Sequence, residues 1–178
     1  FLGGTPKLFV ANVASPISWS PDGQRIAFLR SEITPVLSSK LILANADGGQ
    51  ERTLATDTPA LWISLAAPWR PSSAPAWSPD GRLIAVAGVR LPNTGFVAFV
   101  DSQTGSTHEV PMLGSGFYGL DWIDGQSLVL NLPAQFGSPS QLFRLPYPDG
   151  QQSRLTNDPN YYTGVSVSRD RRTFVTSR

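Results

Sequence analysis

Short apolar runs of β type recur along the chain, each entered through a polar turn. Ile26-Ala27-Phe28-Leu29 follows Ser18-Trp19-Ser20-Pro21-Asp22-Gly23, and Leu83-Ile84-Ala85-Val86 follows Ala76-Trp77-Ser78-Pro79-Asp80-Gly81. A worn copy, Leu120-Asp121-Trp122-Ile123-Asp124-Gly125, is one residue shorter between Trp and Gly and leads into Leu128-Val129-Leu130. The fourth, Val165-Ser166-Val167-Ser168-Arg169-Asp170, has lost the Trp, carries Arg171 where Gly stood, and precedes Phe174-Val175. Runs this short, bounded by Pro, Asp and Gly, predict strands joined by tight turns.

A second set of turns keeps a fixed offset. Gly48 lies 25 residues after Gly23, Gly105 24 after Gly81, and Gly150 25 after Gly125. Asp47-Gly48, Thr104-Gly105 and Asp149-Gly150 follow the runs Leu41-Ile42-Leu43, Phe96-Val97-Ala98-Phe99-Val100 and Leu142-Phe143. Asp-Gly between apolar runs signals a hairpin, because Gly supplies the positive φ that a primed turn needs. Each unit therefore predicts four antiparallel strands, A to D, with the A–B turn at Pro-Asp-Gly and the C–D turn at the second glycine.

From one C–D turn to the next A–B turn the spacing is 33, 20 and 21 residues, ending at Gly81, Gly125 and Arg171. The first interval carries an insertion within Asp57 to Pro75, rich in Pro and holding Trp62 and Trp69. A four-stranded blade cannot cover both of its own faces, so a repeat of this period needs neighbours around an axis. The prediction is an all-β, β-propeller architecture of four-stranded antiparallel blades. It forms one partial ring over residues 1–178, with units at about 16–56, 75–111 and 118–155. The N-terminus (6–10) supplies one outer D strand, and the C-terminus (164–177) supplies A and B. Propellers usually need more blades than this. Two raw faces are a pairing liability, so the chain is expected to pair with itself or with missing blades.

Composition narrows the chemistry. With 16 Gly and 16 Pro among 178 residues, few windows could hold a helical face, while 40% hydrophobic content is enough for a packed core. A net charge of +1 gives no electrostatic reason to expect nucleic acid or an anionic bilayer. The absence of Cys excludes disulfides, thiolate metal sites and Cys nucleophiles, and one His (His108) excludes a site needing two imidazoles. No apolar run reaches the roughly 20 residues of a membrane span, so direct membrane insertion is not expected. The start at Phe1 rather than Met reads as an excised or processed piece.

The repeated residues read as structural. Trp19, Trp77 and Trp122 recur at one place in the unit and are expected to pack between blades. Asp22, Asp80 and Asp124, each followed by its glycine (Gly23, Gly81, Gly125), fit turn roles better than metal ligation, since one carboxylate per turn offers a hard cation too few oxygens. No metal or cofactor is expected. Gly114-Ser115-Gly116-Phe117-Tyr118-Gly119 matches G-x-G-x-x-G, but Leu120-Asp121-Trp122 after it begins an inner strand rather than a helix, and no Lys follows Lys40. His108 sits in an apparent outer strand and no G-x-S-x-G elbow occurs, which argues against a Ser-His-Asp hydrolase. Spacing leaves paired acids for glycoside cleavage open, although the acids fall mostly in turns. Arg169, Arg171 and Arg172 read as a solvated hairpin.

On the two complete WSPDG copies at Trp19 and Trp77, and the partial ones at Trp122 and Val167, the chain resembles the WSPDG-repeat propellers. This is the TolB-like, WD40-like branch also found in prolyl-oligopeptidase propellers. The tail from Arg154 to Ser166, with Leu43-Ala44-Asn45-Ala46-Asp47-Gly48, is similar to propellers appended to bacterial, notably acidobacterial, receptor-type Ser/Thr protein kinases and winged-helix regulators. The resemblance implies a non-catalytic module that binds a protein, peptide or small ligand as the sensor part of such a kinase. It favours an extracytoplasmic or periplasmic location. The alternatives are a propeller fragment of a prolyl-oligopeptidase-like peptidase and a structural interaction scaffold.

Antiparallel geometry puts the short A–B and C–D turns at one end and the long B–C and D–A connections at the other. Variable loops on a rigid scaffold are where recognition resides. The long-loop end gathers Trp62, Trp69, Phe117, Tyr118, Phe136, Tyr161 and Tyr162. Trp62 and Trp69 with Arg70 are candidate partner anchors, because Trp and Arg are enriched in hot spots. The same insertion could instead fold down as a local mini-core. Arg30 and Arg90 read as equivalent ends of strand B, able to meet an acidic peptide or to pair with nearby carboxylates.

Overall fold

The computed structural model describes residues 8–32, 38–57, 73–90, 94–112, 119–133 and 138–177. Trp62, Trp69, Arg70, Phe117, Tyr118 and Phe136 lie outside the described residues. The first sheet orders β1 (Ser18–Trp19), β2 (Arg25–Glu32), β3 (Ser38–Asn45) and β4 (Arg52–Asp57). The second orders β5 (Ala76–Trp77), β6 (Leu83–Arg90), β7 (Thr94–Asp101) and β8 (Thr107–Pro111). The third holds β9 (Gly119–Trp122), β10 (Ser127–Pro133), β11 (Ser140–Pro146) and β12 (Ser153–Arg154), and the last pairs β13 (Thr163–Val167) with β14 (Phe174–Ser177). Every pairing is antiparallel. The sheets form an open all-β arc.

Register makes the four copies equivalent. Trp19 stands opposite Ile26, Trp77 opposite Ile84, Trp122 opposite Leu128, and Val167 opposite Phe174. Side chains alternate between the two faces of a strand, so each sheet offers one apolar set to its predecessor and another to its successor. Leu29, Leu41, Leu43 and Leu54 of the first sheet pack with Trp77, Val86, Phe96 and Val100 of the second. Val97, Phe99 and Val110 of the second pack in turn with Trp122, Leu130 and Phe143 of the third. Both faces of the second sheet are thus buried, which is why β6 and β7 read as continuous apolar runs.

The three tryptophans share a register but not an environment. Trp122 is fully buried and Trp77 is 5% exposed, each resting on the sheet before it. Trp19 is 54% exposed. Its equivalence with the other two as an interior residue fails because no described sheet precedes the first. Val10 and Ile17 cover only part of that face, over Ile26, Phe28, Ile42 and Ala44.

The A–B turns show why Ser and Asp recur. Ser20 Oγ donates to Asp22 Oδ1 (2.6 Å) and accepts from Arg25 N (2.9 Å), while Gln24 N donates to Asp22 Oδ1 (3.0 Å). Ser78 and Asp80 repeat this set at 2.6, 2.9 and 3.0 Å. Gly23 and Gly81 close the turns at φ 69° and 71°. Arg171 holds the same left-handed conformation, φ 61°, and its N–H bonds Ser168 O as the glycines bond Ser20 O and Ser78 O. The fourth turn therefore survives the loss of glycine. The shortened third turn does differ: Gly125 is outside the left-handed region, although Asp124 Oδ1 still accepts Gln126 N at 2.7 Å.

The C–D glycines are where neighbouring sheets touch. A Cβ on Gly105 would collide with the Leu54 carbonyl oxygen of β4, and one on Gly150 with the Val110 side chain of β8. At Gly48 it would lie 2.5 Å from the Phe9 carbonyl oxygen. Phe9 thus meets the first sheet where the outer strands β4 and β8 meet the second and third.

Candidate functional site

The inner strands of all four sheets face one axis and enclose an open cavity of about 370 Å³. Ser18 and Trp19, Pro75 and Trp77, Asp121, and Arg171 are among the residues that line it. Ala74 and Pro75, the last residues of the stretch Asp57 to Pro75, also line this wall. In the first three sheets the inner strand is tethered through its A–B hairpin to a buried second strand, β2, β6 or β10.

Asp121 is the acid among the described residues of this wall. Its Oδ1 accepts Trp122 N (2.8 Å) and its Oδ2 accepts Val167 N (2.7 Å), so one carboxylate joins the third sheet to the fourth. Burial pushes its carboxyl above the usual carboxylate range, against the two N–H donors and the Arg171 guanidinium 4.0 Å away. Arg171 Nη1 donates to Trp122 O at 2.6 Å, and Asn131 Nδ2 donates to Tyr162 O at 2.9 Å. Polar bonds dominate the described contacts of this junction, whereas side-chain packing joins the first three sheets. Trp122 Nε1 donates to Ala76 O at 3.0 Å; among the described residues the equivalent Trp77 Nε1, and Ser18 Oγ beside it, have no partner.

The repeated turn acids are committed to backbone. Ser20 and Ser78 hydroxyls, with the N–H groups of Gln24 and Arg82, hold Asp22 and Asp80 below the usual range. The Thr104 N–H does the same for Asp101, and the Ser168 hydroxyl for Asp170. A second groove of about 560 Å³ runs between the second and third sheets at the short-turn end, over Phe99 and Tyr147, with Asp101 and His108 at its rim. His108 lies in β8, its Nε2 3.4 Å from Pro148 O.

Of the residues predicted for the long-loop end, four are described. Arg30 is the sixth residue of β2 and Arg90 the eighth of β6, so they are not equivalent positions as their place at strand ends suggested. Arg30 runs over the Phe28 ring to Glu51 (3.1 Å), and Arg90 over the Phe96 ring to Glu109 (2.5 Å). Tyr162 Oη donates to Asp158 Oδ2 at 2.7 Å, and Tyr161 is exposed. Arg171 turns inward to Trp122 rather than standing in a solvated hairpin. Sequence reasoning passed over Asp121 and Ser18. The available signal was an acid at a position occupied by Ser18 and Ala76 in the neighbouring copies.

No protein-family model and no curated protein matches the chain. Solved structures do. TolB from Acinetobacter baumannii matches at TM-score 0.69 and 18% identity, over 91% of this chain and 37% of that one. The β-propeller domain of Cps50 (Swd1) from Myceliophteria thermophila matches at 0.60 and 14%, over 94% and 49%. The β-propeller domain of the Trilobed protease from Pyrococcus furiosus matches at 0.52 and 18%, over 84% and 45%. The chain spans less than half the length of each. At these identities the likeness is one of fold, and that fold is an open β-propeller arc of four-stranded blades.

Proposed function

We propose that the chain is a non-catalytic recognition module, the propeller part of a bacterial sensor such as a receptor-type Ser/Thr protein kinase. It holds a peptide, protein or small ligand on the ring axis, with the long connections as the rim. The axial cavity carries this reading: inner strands of four sheets form its wall, and Ala74 and Pro75, which follow the Trp62–Trp69 insertion in the sequence, line it. A polar, concave site on a fixed scaffold suits binding. Peptides selected on the wild-type chain from a random display library test it. The double variant Trp62→Ala/Trp69→Ala should keep its β circular dichroism and lose about thirtyfold or more in affinity, the size of a hot-spot loss. Unchanged affinity would remove the insertion from the site, and loss of the fold would assign it to a mini-core.

A fragment of a prolyl-oligopeptidase-like peptidase is the second reading, favoured by the likeness to the Trilobed protease propeller. The isolated chain should not hydrolyse a panel of peptides and esters. Turnover that disappears in His108→Ala would overturn the non-catalytic reading.

A further inference from the structure

We propose that the two ends of the arc dock on one another between copies of this chain, head to tail. The eight exposed large apolar side chains of the described residues all belong to the ends. Leu8, Phe9, Val13 and Trp19 lie in β1 and the segment leading into it, while Leu155, Tyr161, Phe174 and Val175 lie beyond β12. Exposed apolar surface gathered in this way marks an interaction face.

The internal interfaces identify what fits there. In every sheet the residue before the Trp position pairs across the inner hairpin with a small aliphatic residue. The pairs are Ser18 with Ala27, Ala76 with Ala85, Asp121 with Val129, and Ser166 with Val175. Trp77 packs in the cluster that contains Ala27, and Trp122 in the one that contains Ala76 and Ala85. Ser166–Val175 is the last such pair, and Val175 is 63% exposed; Trp19 is the first such indole. One further step of the same rotation, taken between molecules, seats Trp19 of one copy on Ser166 and Val175 of the next. Two copies of four sheets supply eight blade positions, within the range that propellers close. A net charge of +1 puts little long-range repulsion in the way.

A head-to-tail contact is heterologous, and that makes it testable by complementation. In analytical ultracentrifugation the wild-type chain should sediment above its 19.2 kDa monomer mass, increasingly so with concentration. Trp19→Arg spoils one end and Val175→Arg the other, so each alone should be monomeric. Their equimolar mixture should recover a dimer and nothing larger, through the one intact interface. Circular dichroism checks both variants, and Trp19→Gln with Val175→Ser replace them if either loses its β signal. A wild-type monomer at every concentration would overturn the proposal. Persistent association of Trp19→Arg, or a mixture that stays monomeric, would overturn the head-to-tail arrangement.

Discussion

Trp122 and Trp19 occupy the same register, yet they carry different energetic weight. Trp122 is sealed between the second and third sheets, edge-on to Phe99 with ring centroids 5.7 Å apart, and its indole N–H satisfies Ala76 O. Trp122→Ala should therefore cost about 3–5 kcal/mol, as large-to-small changes of buried aromatics do. Trp19→Ala should cost about 1 kcal/mol or less in the dilute chain, in line with surface changes. Urea unfolding of both variants checks the contrast, and equal losses would mean that the first sheet's face is covered after all. The Ser-x-Asp pairs of the turns were legible as turn chemistry because their bonds are local, within five residues. Asp121 and Arg171 were not, because their partners come from another sheet.

Between elements, an A–B glycine and a C–D glycine separate a backbone requirement from a packing one. Gly23 (φ 69°) has no atom within 4 Å of an added Cβ, so Gly23→Ala should cost only the left-handed penalty, about 1–2 kcal/mol. Gly105 (φ 76°) carries the same penalty and also abuts the Leu54 carbonyl. Gly105→Ala must push the second sheet off the first, and should cost several kcal/mol more by opening their shared core. Thermal melts of the two variants measure the difference; similar midpoints would show that the sheets slide apart without cost. Both glycines were read from sequence as hairpin residues. The close approach at Gly105 was invisible there, since Leu54 is 51 residues away.

Across the whole molecule, stability should fall from the centre of the arc to its C-terminal end. The second sheet is packed on both faces, whereas β13–β14 is a two-stranded sheet attached through Asp121, Arg171 and Asn131, with Phe174 and Val175 exposed. Local opening follows buried contact density. Amide exchange in dilute protein should be about tenfold or more faster in β14 than in β6 and β7. Equal protection would indicate that the arc unfolds as one unit.

The amino-acid order alone determined the repeat, the strand runs, the turn residues and the two kinds of hairpin. Each of these is set by neighbours a few residues apart, through periodicity, left-handed turn positions and short side-chain bonds. Tertiary structure decided which equivalent positions differ. It left Trp19 exposed while burying Trp77 and Trp122, and turned Asp121 into a clamp between sheets. Those outcomes depend on which sheet lies alongside, and a repeat looks the same in sequence whether or not its neighbour is there.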